Sequence, residues 1–248
     1  MYIRERFKRI SEYLKEHKKA SVEELSAFLY VSPATVRRDL VEMQALGMVA
    51  RTHGGALYIE ESDETSIFVR LGKNSREKEV TGYIALQHMP PFQSVFIDNS
   101  STCLSLAKKM DLTHKTVITN GLQLALTISQ KEDVQLIMPG GEVHFNTNAV
   151  SGSLTCNLLH SFRIDLMLCS CAAIDENGTY EHSLETILLK QTAIAQSKTR
   201  VLLVDRNKFS TTAAYCTGTL SAYDAIVTDA EDELIAPYRA MNLNVINR

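Results

Sequence analysis

The sequence predicts two parts in series: a small N-terminal α+β module of three helices and a hairpin, then a larger C-terminal α/β domain on a mainly parallel sheet. Three observations predict this. Before residue 47, apolar residues recur three times at helical spacing, and strand-like residues 48–59 follow. From residue 74 onward, short apolar runs alternate with amphipathic stretches, the rhythm of βα units. Charge divides along the same line. Residues 1–59 hold ten Lys/Arg against seven Asp/Glu, and the rest of the chain sixteen against twenty-two, a basic head on an acidic body.

The elements of the head follow in order. Ile3, Phe7, Ile10 and Leu14 mark the first helix. Ser21 and Glu24 form a capping box that opens a second helix, with Val22, Leu25, Phe28 and Leu29 on its apolar face. Tyr30-Val31 makes the turn. Ser32 as N-cap and Pro33 at the first helical position start a third helix. Its buried stripe is Val36, Leu40, Met43 and Leu46, and Gly47 ends it. Residues 48–51 and 56–59 flank a Gly54-Gly55 turn as a hairpin.

In the body, strands are predicted over 94–97, 116–119, 134–138, 164–171, 200–204, 225–228 and 243–246. Helices are predicted over 76–88, 101–110, 122–130, 184–197 and 232–241. The predicted division is a head over 1–59, a linker over 60–73 that begins with the acidic run Glu60–Glu64, and an α/β domain over 74–248. The linker is where a change of head orientation is expected.

Composition narrows the class. The chain has 248 residues, 45% hydrophobic and 22% charged, ordinary for a soluble globular protein. No apolar run approaches the ~20 residues that cross a bilayer. Residues 1–19 are charged throughout, unlike a signal peptide, so a cytoplasmic protein is expected. The five cysteines, Cys103, Cys156, Cys169, Cys171 and Cys216, lack a C-x-x-C spacing and are expected to be buried thiols, with Cys169 and Cys171 sharing one face of a strand. No metal site or cofactor is expected.

Two short helices joined by a tight turn, the second basic and amphipathic, form a helix-turn-helix over about residues 20–39; the hairpin over about 48–59 is its wing. Once the stripe Val36, Leu40, Met43 is buried, Ser32, Pro33, Thr35, Arg37 and Arg38 lie at or near the exposed amino end. There arginine can bond guanine bidentately, and the helix dipole favours phosphate. Asp39, just behind, is placed to orient one of the arginines. Arg51 and His53 of the wing are placed to reach backbone or minor groove. Arg37 or Arg38 alone reads more readily as a solvated face; the ordered set points to double-stranded DNA.

The stretch Val31-Ser32-Pro33-Ala34-Thr35-Val36-Arg37-Arg38-Asp39-Leu40, then Leu46-Gly47 and Arg51-Thr52-His53-Gly54-Gly55-Ala56, resembles the signature of DeoR-family repressors. The resemblance covers the whole N-terminal segment, and weaker motifs extend it into the C-terminal half. It implies a winged helix-turn-helix repressor of a sugar-metabolism operon that leaves DNA when a phosphorylated sugar binds.

Asp98-Asn99-Ser100-Ser101-Thr102 follows a strand and opens a helix, which reads either as an anion site or as plain N-capping by Ser100 or Ser101. Compared with the family's Asp-x-Gly-Thr-Thr, Ser100 replaces the glycine and Ser101-Thr102 forms the hydroxyl pair. Asn120 ends the next predicted strand, and Gly140-Gly141 ends the one after, as ligand loop or plain turn. The run 165–175, Gly178 and Asp205-Arg206-Asn207-Lys208 resemble the core of the ribose-5-phosphate isomerase superfamily. The body is therefore expected to be ribose-phosphate-isomerase-like, with Asp175 and Lys208 touching the sugar and Lys208 supplying charge to phosphate. Ser170 and Ala173 stand where family members more often have glycine.

Two other classes were weighed. An active aldose–ketose isomerase needs a carboxylate base; Glu181 and Glu185 lie within reach along the chain, but neither stands in a context resembling the enzymes' base. A protein-binding winged helix does not account for the paired arginines. No catalytic residues are expected. A head this small buries only ~600–1,000 Å² on DNA, so a homo-oligomer, dimer or tetramer, is expected to pair two heads on two half-sites.

Overall fold

The computed structural model describes residues 2–45, 48–52, 54–58, 67–144 and 147–248. Leu46 and Gly47, His53, Ile59 and the acidic run Glu60–Glu64 lie outside the described residues. The chain divides into two compact units, 1–70 and 71–248.

The first unit runs α1 (Ile3–His17), β1 (Lys19–Ser21), α2 (Val22–Leu29), α3 (Pro33–Ala45), β2 (Val49–Thr52) and β3 (Gly55–Tyr58). The capping box is formed: Ser21 Oγ accepts from Glu24 N at 3.1 Å, and Glu24 Oε2 accepts from Ser21 N at 2.7 Å, worth about 1 kcal/mol. Tyr30 adopts a left-handed φ of 56° and ends α2. Ser32 Oγ accepts from Thr35 N at 3.2 Å at the start of α3. Phe7, Ile10, Leu14, Leu25, Leu29, Val36, Leu40 and Met43 share one core. Ile3, expected on this stripe, is 42% exposed because it stands in the first turn, before the helix reaches the core. The wing also gains a strand the sequence did not suggest. β3 pairs antiparallel with both β2 and β1. At Gly55 a Cβ would collide with the Ala20 carbonyl oxygen, so this β1–β3 approach needs glycine.

A short helix, α4 (Ile67–Gly72), occupies the end of the segment predicted as linker. The second unit continues with α5 (Ser75–His88), β4 (Ser94–Ile97), α6 (Ser101–Ala107), β5 (Thr116–Thr119), α7 (Leu122–Ile128), β6 (Gln135–Ile137), β7 (Glu142–His144), β8 (Ala149–Ser151), α8 (Ser153–Leu159), β9 (Ile164–Cys169), β10 (Ala173–Asp175), β11 (Gly178–Glu181), α9 (Leu184–Gln196), β12 (Ser197–Val204), β13 (Tyr215–Gly218), β14 (Ala225–Thr228), α10 (Asp232–Ala240) and β15 (Val245–Ile246).

The seven strands predicted from apolar runs are the seven strands of one parallel sheet, ordered β15-β14-β12-β9-β4-β5-β6. Its inner strands are apolar on both faces. Along β12, Leu202 and Val204 enter one core, and Val201 and Leu203 the other. The chain builds outward from β4 through β5 to β6, then returns to lay β9 on the other side of β4 and continues outward to β15. The order therefore reverses between β4 and β9, the position where open α/β sheets leave a crevice at the carboxyl ends of their strands.

Outside this sheet lie the antiparallel sheet β10-β11-β13 and the pair β7-β8, which the sequence reading did not predict. The β10–β11 hairpin had a legible signal in Asn177-Gly178, flanked by Ile174 and Thr179. Gly140-Gly141 is a packed turn. Gly141 has φ 152°, a Cβ there would strike Thr155 Oγ1, and Thr155 Oγ1 donates to the Gly140 carbonyl at 2.9 Å. Cys103, Cys169 and Cys171 are buried, as expected. Cys156 is half-buried and Cys216 exposed, contrary to expectation, because α8 lies at the surface and β13 is the outer strand of its small sheet. Cys171 lies beyond the end of β9 yet enters the same core as Cys169.

Candidate DNA-binding surface and effector site

At the amino end of α3, Ser32, Pro33, Ala34, Arg37 and Arg38 are exposed and Thr35 is half-buried, beside the fully buried Val36. Arg51 is exposed on β2. Arg37 lies 3.7 Å from Glu23 of α2. That exposed pair is worth little and leaves the guanidinium in solvent. Asp39 does not orient either arginine. It is 2% exposed and accepts from Arg6 Nε at 2.6 Å and Nη2 at 2.8 Å, fastening α3 to α1. One helical step puts Asp39 on the core side of α3 and Arg37 and Arg38 on the outer side.

The carboxyl ends of the sheet strands carry Asp98 (β4), Asn120 (β5), Ser170 (β9), Asp205 (β12) and Asp229 (β14), all 7% exposed or less. At the switch between β4 and β9, Asp98 Oδ2 accepts from Ser170 N at 3.0 Å, and Oδ1 accepts from Ser100 N at 3.0 Å. Lys190, reaching in from α9, stands 3.3 Å from Asp98 Oδ2 and donates to Glu181 Oε1 and to the Ser170 carbonyl. Burial pushes the Asp98 carboxyl up, but the Lys190 ammonium and the bonds from Ser100 and Ser170 outweigh it and hold it below the usual carboxylate range. Burial likewise opposes the Lys190 charge, yet Glu181 and Asp98 raise its affinity for the proton well above normal. Lys190 is therefore a fixed cation. Glu181 is committed to it; Glu185 is exposed, 3.8 Å from His144 Nε2.

Lys208, on a 3-10 turn over Arg206–Ser210, donates to Ser170 Oγ at 2.9 Å and to the Cys171 carbonyl. Ser170 Oγ in turn donates to the Leu203 carbonyl at 2.6 Å. Burial pushes the Cys171 thiol up to about 12, against the pull of Lys208. Neither Lys190 nor Ser170 is legible from the sequence as a ligand-end residue: Ser170 stands out only as a departure from glycine, and nothing in the helical pattern of 184–197 distinguishes Lys190.

The other expected residues are placed as follows. Ser100 Oγ caps α6 by accepting from Cys103 N at 3.1 Å. Ser101 and Thr102 are buried in the first turn, and Thr102 Oγ1 has no hydrogen-bond partner among the described residues. Asn120 Nδ2 donates to the Val150 carbonyl at 3.3 Å, while its Oδ1 is buried without a partner among the described residues. Gly121 packs on Asn99, which brings the β4 and β5 loops together. Asp175 ends β10, on the hairpin it forms with β11. Its Oδ1 accepts from Asn177 N, Gly178 N and Tyr180 Oη at 2.8–3.1 Å, bonds that hold the turn.

A helix-turn-helix head and a switched α/β body with a polar network at its strand ends define a DNA-binding transcriptional regulator. Residues 6–62 match the DeoR-like helix-turn-helix domain and residues 73–230 the DeoR C terminal sensor domain. The chain belongs to the DeoR family. It is 32% identical over 89% of its length to the glycerol-3-phosphate regulon repressor of Escherichia coli, covering 88% of that protein. It is also 32% identical over 92% of its length to the HTH-type transcriptional repressor GlcR of Bacillus subtilis, covering 89% of it. Among solved structures, ribose 5-phosphate isomerase from Plasmodium falciparum aligns with 53% of this chain and 51% of its own at 14% identity and a TM-score of 0.38. Among the described residues no helix is long and apolar enough to cross a membrane.

Proposed function

We propose that this protein binds operator DNA through the amino end of α3 and the β2–β3 wing, represses a carbohydrate-related operon in the cytoplasm, and leaves DNA when a phosphorylated sugar or small polyol binds the body. The observation that carries the first half is the sorting of α3, with Ser32, Pro33, Arg37 and Arg38 outward and Val36, Asp39, Leu40 and Met43 inward. Thr35, Arg51 and His53 complete the proposed DNA contacts.

For the effector we propose the carboxyl ends of β4, β5, β9 and β12. Lys190 and Arg206 are both spent on carboxylates. Among the described residues Lys208 meets no carboxylate within 4 Å, so its charge is the one offered to a phosphate. Asn120 Oδ1 and Thr102 Oγ1, both without partners among the described residues, suit the hydroxyls of a sugar or polyol. Asp98, Ser100, Ser101 and Asp175 are proposed to shape the rest of the pocket. Relatives named for glycerol 3-phosphate support a phosphorylated small molecule.

The test is selection of binding sites from a random duplex pool by the full chain, followed by anisotropy titrations with glycerol 3-phosphate and with pentose and hexose phosphates. An enriched sequence whose affinity falls with one of these ligands supports the reading. By linkage the fall corresponds to ~1–3 kcal/mol of coupling. A pool with no enriched sequence overturns the DNA half. Operator affinity unmoved by any phosphorylated ligand overturns the effector half.

A further inference from the structure

α8 and α9 pack side by side on one face of the sheet, with Gln196 Nε2 of α9 3.4 Å from His160 Nδ1 just past α8. Their inner faces supply Leu159, Leu189 and Ala193 to the core. Their outer faces are also apolar. Leu154 is 63% exposed, Leu158 39%, and Leu184 and Leu188 59% each, two leucine pairs at i, i+4 spacing on adjacent helices. Val143 of β7, 44% exposed, lies in the strand whose His144 reaches Glu185 at the start of α9. Glu185 is the sole exposed charged residue on the two helices, whose remaining exposed positions are Ser153, Asn157, Gln191 and Ala195. A surface helix ordinarily turns charge to water; this pair does not.

We propose that this face is the surface through which two copies of the chain pair about a two-fold axis. The five side chains leave roughly 300 Å² of apolar surface exposed per copy, taking ~120 Å² for a fully exposed aliphatic side chain. Two such patches make the dry centre of a standard interface burying ~1,600 Å² in all, polar at its rim. A patch of this kind satisfies itself in an isologous contact, where the leucine pairs of one copy meet those of the other. The outer faces of α8 and α9 carry no Lys or Arg, so they lack the cations an anionic lipid surface would recruit. The same helix that turns Leu184 and Leu188 outward turns Lys190 inward to Asp98, so α9 joins this surface to the strand-end network.

The experiment is sedimentation equilibrium of the full chain at micromolar concentration, independent of any operator or effector. The wild type is expected as a dimer. The double change Leu184→Ala and Leu188→Ala keeps helix propensity and is expected to weaken dimerisation at least tenfold. Leu158→Glu is expected to leave a monomer with wild-type far-UV circular dichroism. Leu126→Glu, at an equally exposed leucine of α7 on the opposite layer, is expected to leave the dimer intact. A monomeric wild type, or a dimer that Leu184→Ala/Leu188→Ala and Leu158→Glu leave unchanged, overturns the proposal.

Discussion

Lys190 Nζ stands 3.3 Å from Asp98 Oδ2, with each side chain no more than 5% exposed, and the contact joins α9 to the strand end where the sheet reverses. Two carboxylates, Asp98 and Glu181, share this one ammonium. Lys208 lies a single residue away through Ser170.

Removing that ammonium leaves buried negative charge without compensation. Lys190→Met is expected to destabilise the body by about 3–5 kcal/mol, read by urea denaturation followed by circular dichroism. The pH dependence is the sharper readout. In the wild type Asp98 titrates below its unfolded value, so its stabilisation is complete above about pH 4 and is lost as the pH falls through the folded value. Lys190 titrates above its unfolded value, so its contribution is complete below about pH 10 and is lost as the pH rises further. In Lys190→Met, burial, already the largest single influence on Asp98, loses its main counterweight and raises the proton affinity, so the variant should gain stability relative to wild type as pH falls from 7 toward 5. A difference between the two proteins that is constant over that range would show that the pairing is not what holds Asp98 ionised.

Lys208→Ala is expected to keep operator affinity and lose the response to the phosphorylated effector. Its partners are a serine hydroxyl and a backbone carbonyl, so truncation leaves no carboxylate stranded. Anisotropy titrations with and without effector measure both quantities. A variant that responds as the wild type does would place the phosphate elsewhere.

Arg37→Ala and Arg38→Ala should each weaken operator binding by ~1–3 kcal/mol with unchanged thermal stability, because both side chains are exposed. Wild-type affinity in both single variants would remove α3 from the groove.

Asp39→Ala, one position further along α3, should behave in the opposite manner. It breaks a bidentate pair with Arg6 whose side chains are 15% and 3% exposed, at a cost of about 3 kcal/mol to the head. Loss of DNA binding should follow only as the head unfolds. Differential scanning calorimetry of the full chain, with the head transition lowered and the body transition unchanged, checks it.

The sequence alone determined the helix-turn-helix and the seven strands of the large sheet, because each is written in local terms. Ser21 and Glu24 cap a helix three residues apart, Ser32 and Pro33 start another, and a strand buried on both faces reads as an unbroken apolar run such as 166–169. Asp98 and Asn120 were legible as strand-end residues for the same reason, whereas Lys208 was marked only by the resemblance to the isomerase superfamily. Tertiary structure alone decided their partners. Lys190 reads as one more polar residue on a helix until α9 packs on β9 and carries it to Asp98, 92 residues earlier in the chain. Asp39 looks like a neighbour of Arg37 and Arg38 in the sequence, yet the 100° step of the helix sends it to Arg6, 33 residues away. The third strand of the wing and the addition of β13 to the β10–β11 hairpin are likewise made by pairing between distant segments, and a three- or four-residue strand has too little periodicity of its own to announce the partner that stabilises it.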